Sequence, residues 1–273
     1  MLSFPNAKIN IGLSVLAKRK DSYHDIDTIF YPVPLSDILE IIPDKKSTGQ
    51  KISFRTSGLS IPGDPQQNLC IKAYQLMDKE YDLPPAQIIL HKLIPTGAGL
   101  GGGSSDASHT IQLLNKVFEL GLDTKKLEEI ASRLGSDCSF FIQNKPSRGT
   151  GKGDQLEPIA LSLKGYYLVL VKPAFAISTS EAYEGIIPKV PEKDMQQIIR
   201  LPIDQWKDIL SNDFEAVVCQ RFPEIKNSKE MMYRQGALYA SMSGSGSSVY
   251  GIFKEEVNVK NYFPTMFYWG GWL

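Results

Sequence analysis

The sequence predicts a two-domain α+β protein, and three observations carry this prediction. The chain has 273 residues, which is enough for two domains of ordinary size. Segments with the two-residue period of strands are interspersed with segments of helical spacing. The composition changes between Gly149 and Lys164, which predicts a first domain at residues 1–156 and a second at residues 157–273.

The first half of the chain predicts mostly strands, with one helix among them. Residues from Lys8 to Leu16 alternate polar and apolar, as in a half-buried strand that carries Lys8 and Asn10 on one face. Further strands are predicted at Ile26–Tyr31, Ile38–Ile42, Ile52–Phe54 and Gln87–Ile94. Leu69, Ala73 and Leu76 have helical spacing, and Asn68 before them is a candidate N-cap.

The remaining elements follow from the same two periods. Helices are predicted from Ala107 to Phe118, at Asp123–Leu134, from Ser178 to Tyr183, and within Met195–Ile209 and Ser228–Gln235. Strands are predicted at Tyr166–Val171, Ala237–Met242 and Ser248–Phe253. For the aromatic C-terminus, Phe267 to Trp272, a packed final strand and a contact surface both stay open.

Composition excludes several classes of protein. Hydrophobic residues make up 42% of the chain, charged residues 22%, and the formal net charge is +0, so neither a nucleic-acid partner nor a membrane surface is indicated. The N-terminus lacks the features of a signal peptide, and the three cysteines are widely spaced. A cytoplasmic location, in a bacterial cell, is expected. Cys138 is interpreted as a buried structural thiol rather than a nucleophile.

The stretch from Pro95 to Ala107 is the strongest local signal in the chain. It holds five glycines within seven residues, then Ser104, Ser105 and Asp106, and it opens a helical pattern. Such a loop brings bare backbone N–H groups and the positive end of a helix dipole toward an anion. The sequence therefore predicts a phosphate-binding loop.

Two common phosphate-binding schemes fit this loop poorly. A Walker A loop ends in Gly-Lys-Ser/Thr, whereas Gly103 is followed by serine. A dinucleotide-binding unit needs the helix to lead into a parallel strand, but here a second amphipathic helix, Asp123–Leu134, follows. The first scheme is excluded and the second is demoted without being excluded.

A third scheme comes from a family resemblance. Pro95 to Ala107 resembles the central motif of the GHMP kinases, the superfamily of galactokinase, homoserine kinase and mevalonate kinase. Pro5 to Asn10 resembles the N-terminal signature of that superfamily, and Met242 to Val249 resembles its C-terminal glycine loop. The three motifs occur in the family's order along nearly the whole chain. The resemblance implies an N-terminal ribosomal-protein-S5-domain-2-like α/β domain and a C-terminal ferredoxin-like α+β domain, with the active site in the cleft between them.

Further motifs are similar to one branch of the superfamily, the kinases of a cytidine-diphosphate-linked methylerythritol. They are Ala7–Asn10, Asp21–His24, Leu134–Asp137, Gly151–Asp154 and Asn212–Glu215. One departure is visible, because Ser22 stands where that branch usually has glycine. The resemblance implies phosphorylation of the substrate's 2-hydroxyl by ATP with Mg²⁺, in the methylerythritol phosphate route to isoprenoid precursors.

The resemblance also assigns residues to the nucleotide. The expected ATP-binding residues of the loop are Pro95, Thr96, Gly97, Ala98, Gly99, Leu100, Gly101, Gly102, Gly103, Ser104 and Ser105. Asn68 and Lys92 are weaker candidates near the adenosine part. The metal ligands are unknown, with Ser104 or Ser105 as candidates for Mg²⁺.

Catalytic and substrate roles are assigned in the same way. Asp137 is implied as the base that takes the hydroxyl proton, and Lys8 as the cation beside it. Asn10 is implied to bind the substrate, and the pair Tyr23 and His24 to bind cytosine. Tyr183 corresponds to a second stacking aromatic and shares a helical face with Thr179, although ordinary core packing of Tyr183 is an equal alternative.

Other functions stay open as alternatives. A sibling kinase for homoserine or mevalonate would have no use for Tyr23 and His24, because those substrates carry no base. A nucleotide-binding sensor without activity would have no use for Lys8 and Asp137. An NAD-dependent oxidoreductase is a more distant alternative. The oligomeric state does not follow from the sequence.

Overall fold

The structure is a computed structural model that describes residues 1–44, 49 and 51–273. Its strands are β1 (Leu2–Ser3), β2 (Asn6–Lys18), β3 (His24–Ser36), β4 (Ile38–Pro43), β5 (Ile52–Gly58), β6 (Ala86–Lys92), β7 (Ser147–Thr150), β8 (Gln155–Pro158), β9 (Tyr167–Lys172), β10 (Tyr239–Met242), β11 (Val249–Phe253) and β12 (Phe267–Trp272). Its α-helices are α1 (Leu69–Tyr81), α2 (Gly102–Val117), α3 (Thr124–Ser132), α4 (Phe140–Gln143), α5 (Thr179–Tyr183), α6 (Met195–Ile198), α7 (Phe214–Arg221) and α8 (Pro223–Arg234). Short 3₁₀ turns occur at Pro65–Gln67, Ile203–Gln205 and Lys260–Tyr262.

The described chain divides into two compact units. The first comprises Met1–Ala7, Leu35–Thr96 and Gly101–Lys145, and we call it the nucleotide unit because it contains most of the predicted ATP-binding residues. The second comprises Lys8–Pro34, Gly97–Leu100 and Pro146–Leu273, and we call it the substrate unit because it contains the predicted substrate-binding residues. The glycine loop therefore starts in the nucleotide unit, enters the substrate unit and returns. The predicted domain boundary after residue 156 stays a prediction.

The nucleotide unit is built on a four-stranded sheet in the order β1-β4-β6-β5. β4 pairs with β6 antiparallel, while β5 pairs with β6 parallel. Its hydrophobic core joins apolar residues of β4 and β6 to the inward stripes of α1, α2 and α3, among them Leu39, Ile88, Tyr74, Ile111 and Ile130. Helical spacing of these side chains buries one face of each helix against the sheet, as the sequence predicts.

The substrate unit contains two further four-stranded sheets. One has the order β2-β3-β7-β8 and the other the order β10-β11-β9-β12. In the second sheet every pairing is antiparallel, and α7 and α8 contribute Phe214, Val218, Ile225 and Met232 to the core that covers it. Phe267 to Trp272 is the edge strand of this sheet and pairs with β9 along its length.

One prediction about the elements is wrong. β2 is buried on both faces from Ala7 to Val15 rather than half-buried, because neighbouring strands and loops cover both sides of it. The helical region predicted within Met195–Ile209 consists of two separate segments, α6 and the 3₁₀ turn Ile203–Gln205. Pro202, which lies between them, cannot donate the backbone hydrogen bond that a continuous helix requires.

Other elements extend or add to the predicted set. α8 begins at Pro223, where a proline fits the first turn of a helix, and not at Ser228. β7 and β8 form an antiparallel hairpin around the glycine cluster Arg148–Asp154, for which the sequence predicts a hairpin or a loop. β1, α4 and α7 were not predicted from the sequence. Within the described ranges, no helix combines the length and the apolar character needed to cross a membrane.

Candidate active site

The nucleotide unit contains a cavity beside the start of the glycine loop. Its volume is about 350 Å³, within the range of small-molecule sites. Four predicted ATP-binding residues line it, namely Asn68, Lys92, Thr96 and Gly103. The structure thus brings together two weaker candidates and two residues of the loop.

The wall of this cavity is apolar on one side. Phe54, Ile61 and Leu69 line the cavity and pack against the hydrophobic core of the unit. Asn68, next to Leu69, is the N-cap of α1, and its side-chain oxygen accepts a hydrogen bond from the N–H of Cys70 at 2.9 Å. An apolar slot with a polar edge suits a planar heteroaromatic base.

A buried group of three charges lies under the cavity. Lys92 Nζ donates to Asp37 Oδ2 at 2.5 Å and to Asp106 Oδ2 at 2.6 Å. Burial lowers the pKa of Lys92, but the two carboxylates outweigh it and raise the pKa above its ordinary value. Burial raises the pKa of Asp106. Lys92 therefore lines the predicted nucleotide cavity while its charge is held by carboxylates.

The same group fixes the strand that leads into the glycine loop. Asp37 Oδ1 accepts hydrogen bonds from the N–H groups of Leu93 at 2.6 Å and Ile94 at 2.8 Å. A side-chain carbon on Gly102 would lie 2.8 Å from Ile94 and 3.1 Å from Lys92 Nζ. Gly102 is thus required for α2 to start directly above the buried ammonium. Neither Asp37 nor Asp106 was predicted, because an isolated Asp in a sequence carries no signal for a partner far along the chain.

The N-terminus of α2 fits the binding of phosphate and of a magnesium ion. Its N-cap, Gly101, offers no side chain to the free N–H groups of the first turn. The hydroxyl of Ser105 is fully buried there and has no hydrogen-bond partner among the described residues. No group of three His, Cys, Asp or Glu side chains suited to a metal occurs in the described part of the chain. A magnesium ion held mainly by phosphate oxygens and water, with a serine hydroxyl as ligand, fits these residues.

The middle of the glycine loop, Gly97–Leu100, belongs to the substrate unit and contacts the second glycine loop, Ser243–Ser248. Gly99 has a φ of +72°, and a side-chain carbon there would lie 2.0 Å from the carbonyl oxygen of Ser243. Ser243 Oγ donates to the Gly99 carbonyl at 2.8 Å, and the Ser248 N–H donates to the Ala98 carbonyl at 3.2 Å. The two glycine-rich segments singled out in the sequence thus meet within this unit.

Lys8 and Asn10 lie side by side on β2 next to these loops. Both are buried, with exposures of 3% and 2%. Lys8 Nζ donates to Asn10 Oδ1 at 2.5 Å and to the Gly99 carbonyl at 3.1 Å, and it lies 5.2 Å from the centre of the Phe30 ring. Asn10 Nδ2 donates to Thr28 Oγ1 at 2.9 Å. The predicted catalytic lysine therefore points at the glycine loop.

Two predicted base-binding residues form a stack in the substrate unit. The rings of His24 and Tyr183 lie 4.4 Å apart with an interplanar angle of 12°. Tyr183 also contacts Phe214 edge-on at 4.8 Å and packs against the core, so both alternatives for this residue apply. Both rings line a cavity of about 450 Å³. Burial, followed by the charge of Lys18, lowers the pKa of His24, which favours the neutral imidazole.

Two further substrate candidates, Tyr23 and Thr179, are not among the residues that line this cavity. Tyr23 is 60% exposed, and its ring is covered by Lys152 Nζ at 4.9 Å. Thr179 is exposed at the start of α5 and does not line the cavity. Ser22, the departure from the related kinases, has a φ of +68°, the conformation that glycine adopts most easily. Ser22 therefore adopts the left-handed conformation that a glycine at this position would allow.

Asp137 belongs to the nucleotide unit, in the turn between α3 and α4. It is half-buried, and Ser136 Oγ donates to its carboxylate at 3.3 Å. Because Lys8 belongs to the other unit, the predicted pairing of Asp137 with Lys8 stays a prediction. Cys138 is fully buried, and burial raises the pKa of its thiol to about 12, in agreement with a structural role.

Comparison with family models places two matches on the chain. Residues 68–145 match the GHMP kinases N terminal domain, and residues 195–267 match the GHMP kinases C terminal domain. The first match contains Asp137 and the part of the nucleotide cavity formed by Asn68, Lys92, Thr96 and Gly103, and the second contains the second glycine loop.

Individual proteins are similar over the whole chain. The 4-diphosphocytidyl-2-C-methyl-D-erythritol kinase of Bacteroides fragilis is 51% identical, over 95% of this chain and 94% of that protein. The kinase of the same name from Parabacteroides distasonis is 48% identical over 100% of both chains. A crystal structure of 4-(cytidine 5'-diphospho)-2C-methyl-D-erythritol kinase superposes with a TM-score of 0.83 at 29% identity, covering 99% of this chain and 98% of that one. The mevalonate kinase of Methanococcus jannaschii, 12% identical with a TM-score of 0.69 and coverage of 99% and 97%, shares the fold.

Proposed function

Because this chain belongs to the GHMP kinase family, we propose that it transfers the γ-phosphoryl group of ATP to the 2-hydroxyl of 4-diphosphocytidyl-2-C-methyl-D-erythritol. This reaction lies in the methylerythritol phosphate route to isoprenoid precursors. Support comes from the relatives that carry this kinase name and match the chain over its length. The observation that carries the choice of substrate is the stack of His24 on Tyr183, because other small alcohols offer no base to that pair.

On the substrate side, the cytosine ring would bind at the aromatic pair. A neutral His24, favoured by its lowered pKa, can both donate and accept a hydrogen bond toward the edge of a base. Tyr183 supplies the flat surface on which a base stacks, and Tyr23 on the exposed turn can cover it from solvent. Asn10 would bind the tetritol close to Lys8.

On the nucleotide side, the adenine would occupy the apolar slot at Phe54, Ile61 and Leu69. The phosphates would lie on the N–H groups of the glycine loop and of the first turn of α2. Ser105, with Ser104 as the alternative, would hold the magnesium ion, which supplies charge neutralisation of the phosphates when bound.

The chemistry would need one base and one cation from the chain. The Asp137 carboxylate would take the proton of the acceptor hydroxyl as its oxygen forms a bond to the γ-phosphorus. The bond between that phosphorus and the β,γ-bridging oxygen breaks, and ADP leaves with the electron pair. The Lys8 ammonium would stabilise the charge on the transferring group, a role that suits a buried cation held in one place.

We propose that the reaction takes place in the cytoplasm of a bacterial cell, where ATP is present. All three cysteines are free thiols, and a reducing compartment keeps them so.

An ADP-release assay with three acceptors tests the proposed substrate. Purified protein with ATP and Mg²⁺ is offered the cytidylated tetritol, homoserine or mevalonate, each in parallel with a reaction that lacks the acceptor. We expect turnover with the cytidylated tetritol alone. Turnover with only homoserine or only mevalonate would refute the substrate assignment and leave a sibling kinase.

The variant Asp137→Asn tests the base. The amide has the same shape but accepts no proton, so we expect kcat to fall by at least about 100-fold, as is typical for a general base. The dissociation constant of ADP, measured by calorimetry, should stay within about twofold of the wild-type value. Wild-type turnover of this variant would remove Asp137 from the mechanism.

A further inference from the structure

The stretch Asn212–Glu215 is a motif to which the proposed mechanism gives no role. It lies at the start of α7 in the substrate unit, where the ring of Phe214 contacts Tyr183 edge-on at 4.8 Å. Its polar side chains are nevertheless buried or nearly so, with Asn212 at 2% exposure. Since burial of polar groups is costly without partners, their partners indicate their role.

Asn212 donates hydrogen bonds to backbone carbonyls on both sides of Ser243, where the second glycine loop begins. Its Nδ2 donates to the carbonyl of Met242 at 2.9 Å and to the carbonyl of Gly244 at 2.8 Å. Its Oδ1 accepts from the N–H of Phe214 at 3.0 Å, which anchors the side chain to the start of α7. Both amide hydrogens are therefore used on the loop.

Glu215, one turn further, holds the strand that enters the same loop. Its Oε1 accepts from the N–H of Met242 at 2.7 Å and from Ser241 Oγ at 2.8 Å. Its Oε2 accepts from Lys229 Nζ at 2.6 Å, which ties α7 to α8. A carboxylate with three donors is a firm anchor, because charged hydrogen bonds are stronger than neutral ones.

The loop so held is in contact with the catalytic lysine through one shared acceptor. Ser243 Oγ donates to the Gly99 carbonyl at 2.8 Å and accepts from the Asn10 N–H at 3.2 Å. Lys8 Nζ donates to the same Gly99 carbonyl at 3.1 Å. Because Ser243 and Lys8 both donate to the Gly99 carbonyl, a shift of Ser243 would displace an oxygen that holds the Lys8 ammonium.

We propose that Asn212 and Glu215 are positioning residues, which hold the second glycine loop against Gly97–Leu100 and thereby fix Lys8 beside the transferring phosphoryl group. The proposal rests on the kinase function proposed above. Both residues act through the loop and contact neither substrate. Their loss should lower kcat more than it raises KM for ATP, because Lys8 acts on charge that develops in the transition state.

The variant Asn212→Asp tests the first anchor. The carboxylate keeps the acceptor for the Phe214 N–H but removes both donors to the loop. We expect kcat to fall by about 30-fold, while KM for ATP stays within about threefold. Val218→Ala is the matched control, since Val218 is a buried core residue of the same helix whose side chain cannot form a hydrogen bond with the loop. It should lower the thermal midpoint but leave kcat within about twofold.

The pair Glu215→Gln and Glu215→Leu tests the second anchor. It keeps the proposal testable even if Asn212→Asp does not fold. Glutamine keeps an acceptor for Met242 N–H and Ser241, so kcat should stay within about threefold of wild type. Leucine has a similar volume and no acceptor, so kcat should fall by about 30-fold. Equal effects of the two substitutions would contradict a role through these hydrogen bonds.

Amide hydrogen exchange of the 243–248 segment supplies a readout that needs no substrate. Asn212→Asp and Glu215→Leu should raise exchange there by at least about tenfold, whereas Val218→Ala should not. The contrary outcome is a variant that exchanges faster in this segment and still keeps the wild-type kcat on the alcohol that the wild-type protein phosphorylates. That result would refute the positioning role. Absence of turnover with the cytidylated tetritol in the wild type would refute the substrate alone, and the exchange result would still test the hold on the loop.

Discussion

The ammonium of Lys8 is held by two oxygen acceptors that are themselves fixed. Asn10 Oδ1 is held because its amide donates to Thr28, and the Gly99 carbonyl is held by Ser243. A lysine side chain has several rotatable bonds, so these acceptors restrict its ammonium to one place before any substrate binds. Such restriction lowers the reorganisation needed in the transition state, which is the main contribution a protein makes to phosphoryl transfer.

Tyr183 gives a test of base stacking. Tyr183→Leu removes the ring that lies on His24, and we expect KM for the cytidylated tetritol to rise by about tenfold or more, since stacking on a base is worth about 1–3 kcal/mol. KM for ATP should not change. Tyr183→Phe is the control, because it keeps the ring and should stay near wild type. Steady-state kinetics in both substrates measures this, and an unchanged KM in Tyr183→Leu would place cytosine elsewhere.

His109 on α2 makes folding stability depend on pH. Its Nδ1 is hydrogen-bonded to Ser3 Oγ at 2.7 Å, and burial lowers its pKa to about 4. The unfolded chain binds the proton near pH 6.5, so stability should fall as pH drops from about 6.5 to about 4, by at most about 3 kcal/mol. Urea unfolding across this range should give a shallower pH dependence for His109→Gln. Parallel curves for the two proteins would show that folding does not lower the pKa of His109.

At the scale of the element, the N-termini of the helices differ in how their first N–H groups are used. A helix needs a partner for its first N–H groups, and α1 and α3 take that partner from the side chains of Asn68 and Asp123. α2 starts at Gly101, which has no side chain to offer, and so its first N–H groups are free for an anion. Among α1, α2 and α3, only α2 thus starts without a side-chain cap, which agrees with the phosphate-binding role proposed for it.

Asn68 and Asp123 provide a matched pair of cap variants. Asn68→Ala and Asp123→Ala should each lower the free energy of unfolding by about 1 kcal/mol. Only Asn68 lines the nucleotide cavity, so only Asn68→Ala should also raise KM for ATP. Denaturant titration together with steady-state kinetics checks both expectations. An equal effect of the two variants on KM would mean that the cavity does not hold the nucleotide.

At the scale of the whole molecule, each compact unit has its own hydrophobic core and its own share of the proposed site. The nucleotide unit adds a buried charged centre, because Lys92 joins Asp37, ahead of β4, to Asp106 on α2. Breaking a buried ion pair leaves a charge without compensation, whereas replacing all its members with neutral groups is tolerated much better.

Lys92→Met tests this centre as a determinant of global stability. It leaves two buried carboxylates facing each other, and we expect the free energy of unfolding to fall by about 3–5 kcal/mol. The triple variant Asp37→Asn, Lys92→Met, Asp106→Asn should recover most of that loss, since no charge remains. Guanidinium denaturation compares the three proteins. A triple variant no more stable than Lys92→Met would show that shape, and not charge, matters at this site.

Particular residues show how much of the structure could be predicted from the sequence. Asn68 as a cap, the helix after the glycine loop and the strand at Tyr167–Lys172 follow from local patterns, and the structure confirms them. Lys8 and Asn10 illustrate the limit, because their alternation with apolar residues predicts an exposed face that the fold buries. The assignments of Lys8, Tyr23, His24 and Asp137 to chemistry came from motif resemblance and not from any local pattern.

The sequence by itself determined the glycine loop, most helices and strands, and the family to which the chain belongs, because these depend on residues close together in the chain. Only the tertiary structure decided that Lys92 is neutralised by Asp37 and Asp106, that His24 stacks on Tyr183, and that Asn212 and Glu215 hold the loop at Ser243. The physical reason is that these contacts join residues separated by up to 159 positions, as between His24 and Tyr183. Local periodicity carries no information about such partners, whereas folding places them within hydrogen-bond distance or ring contact.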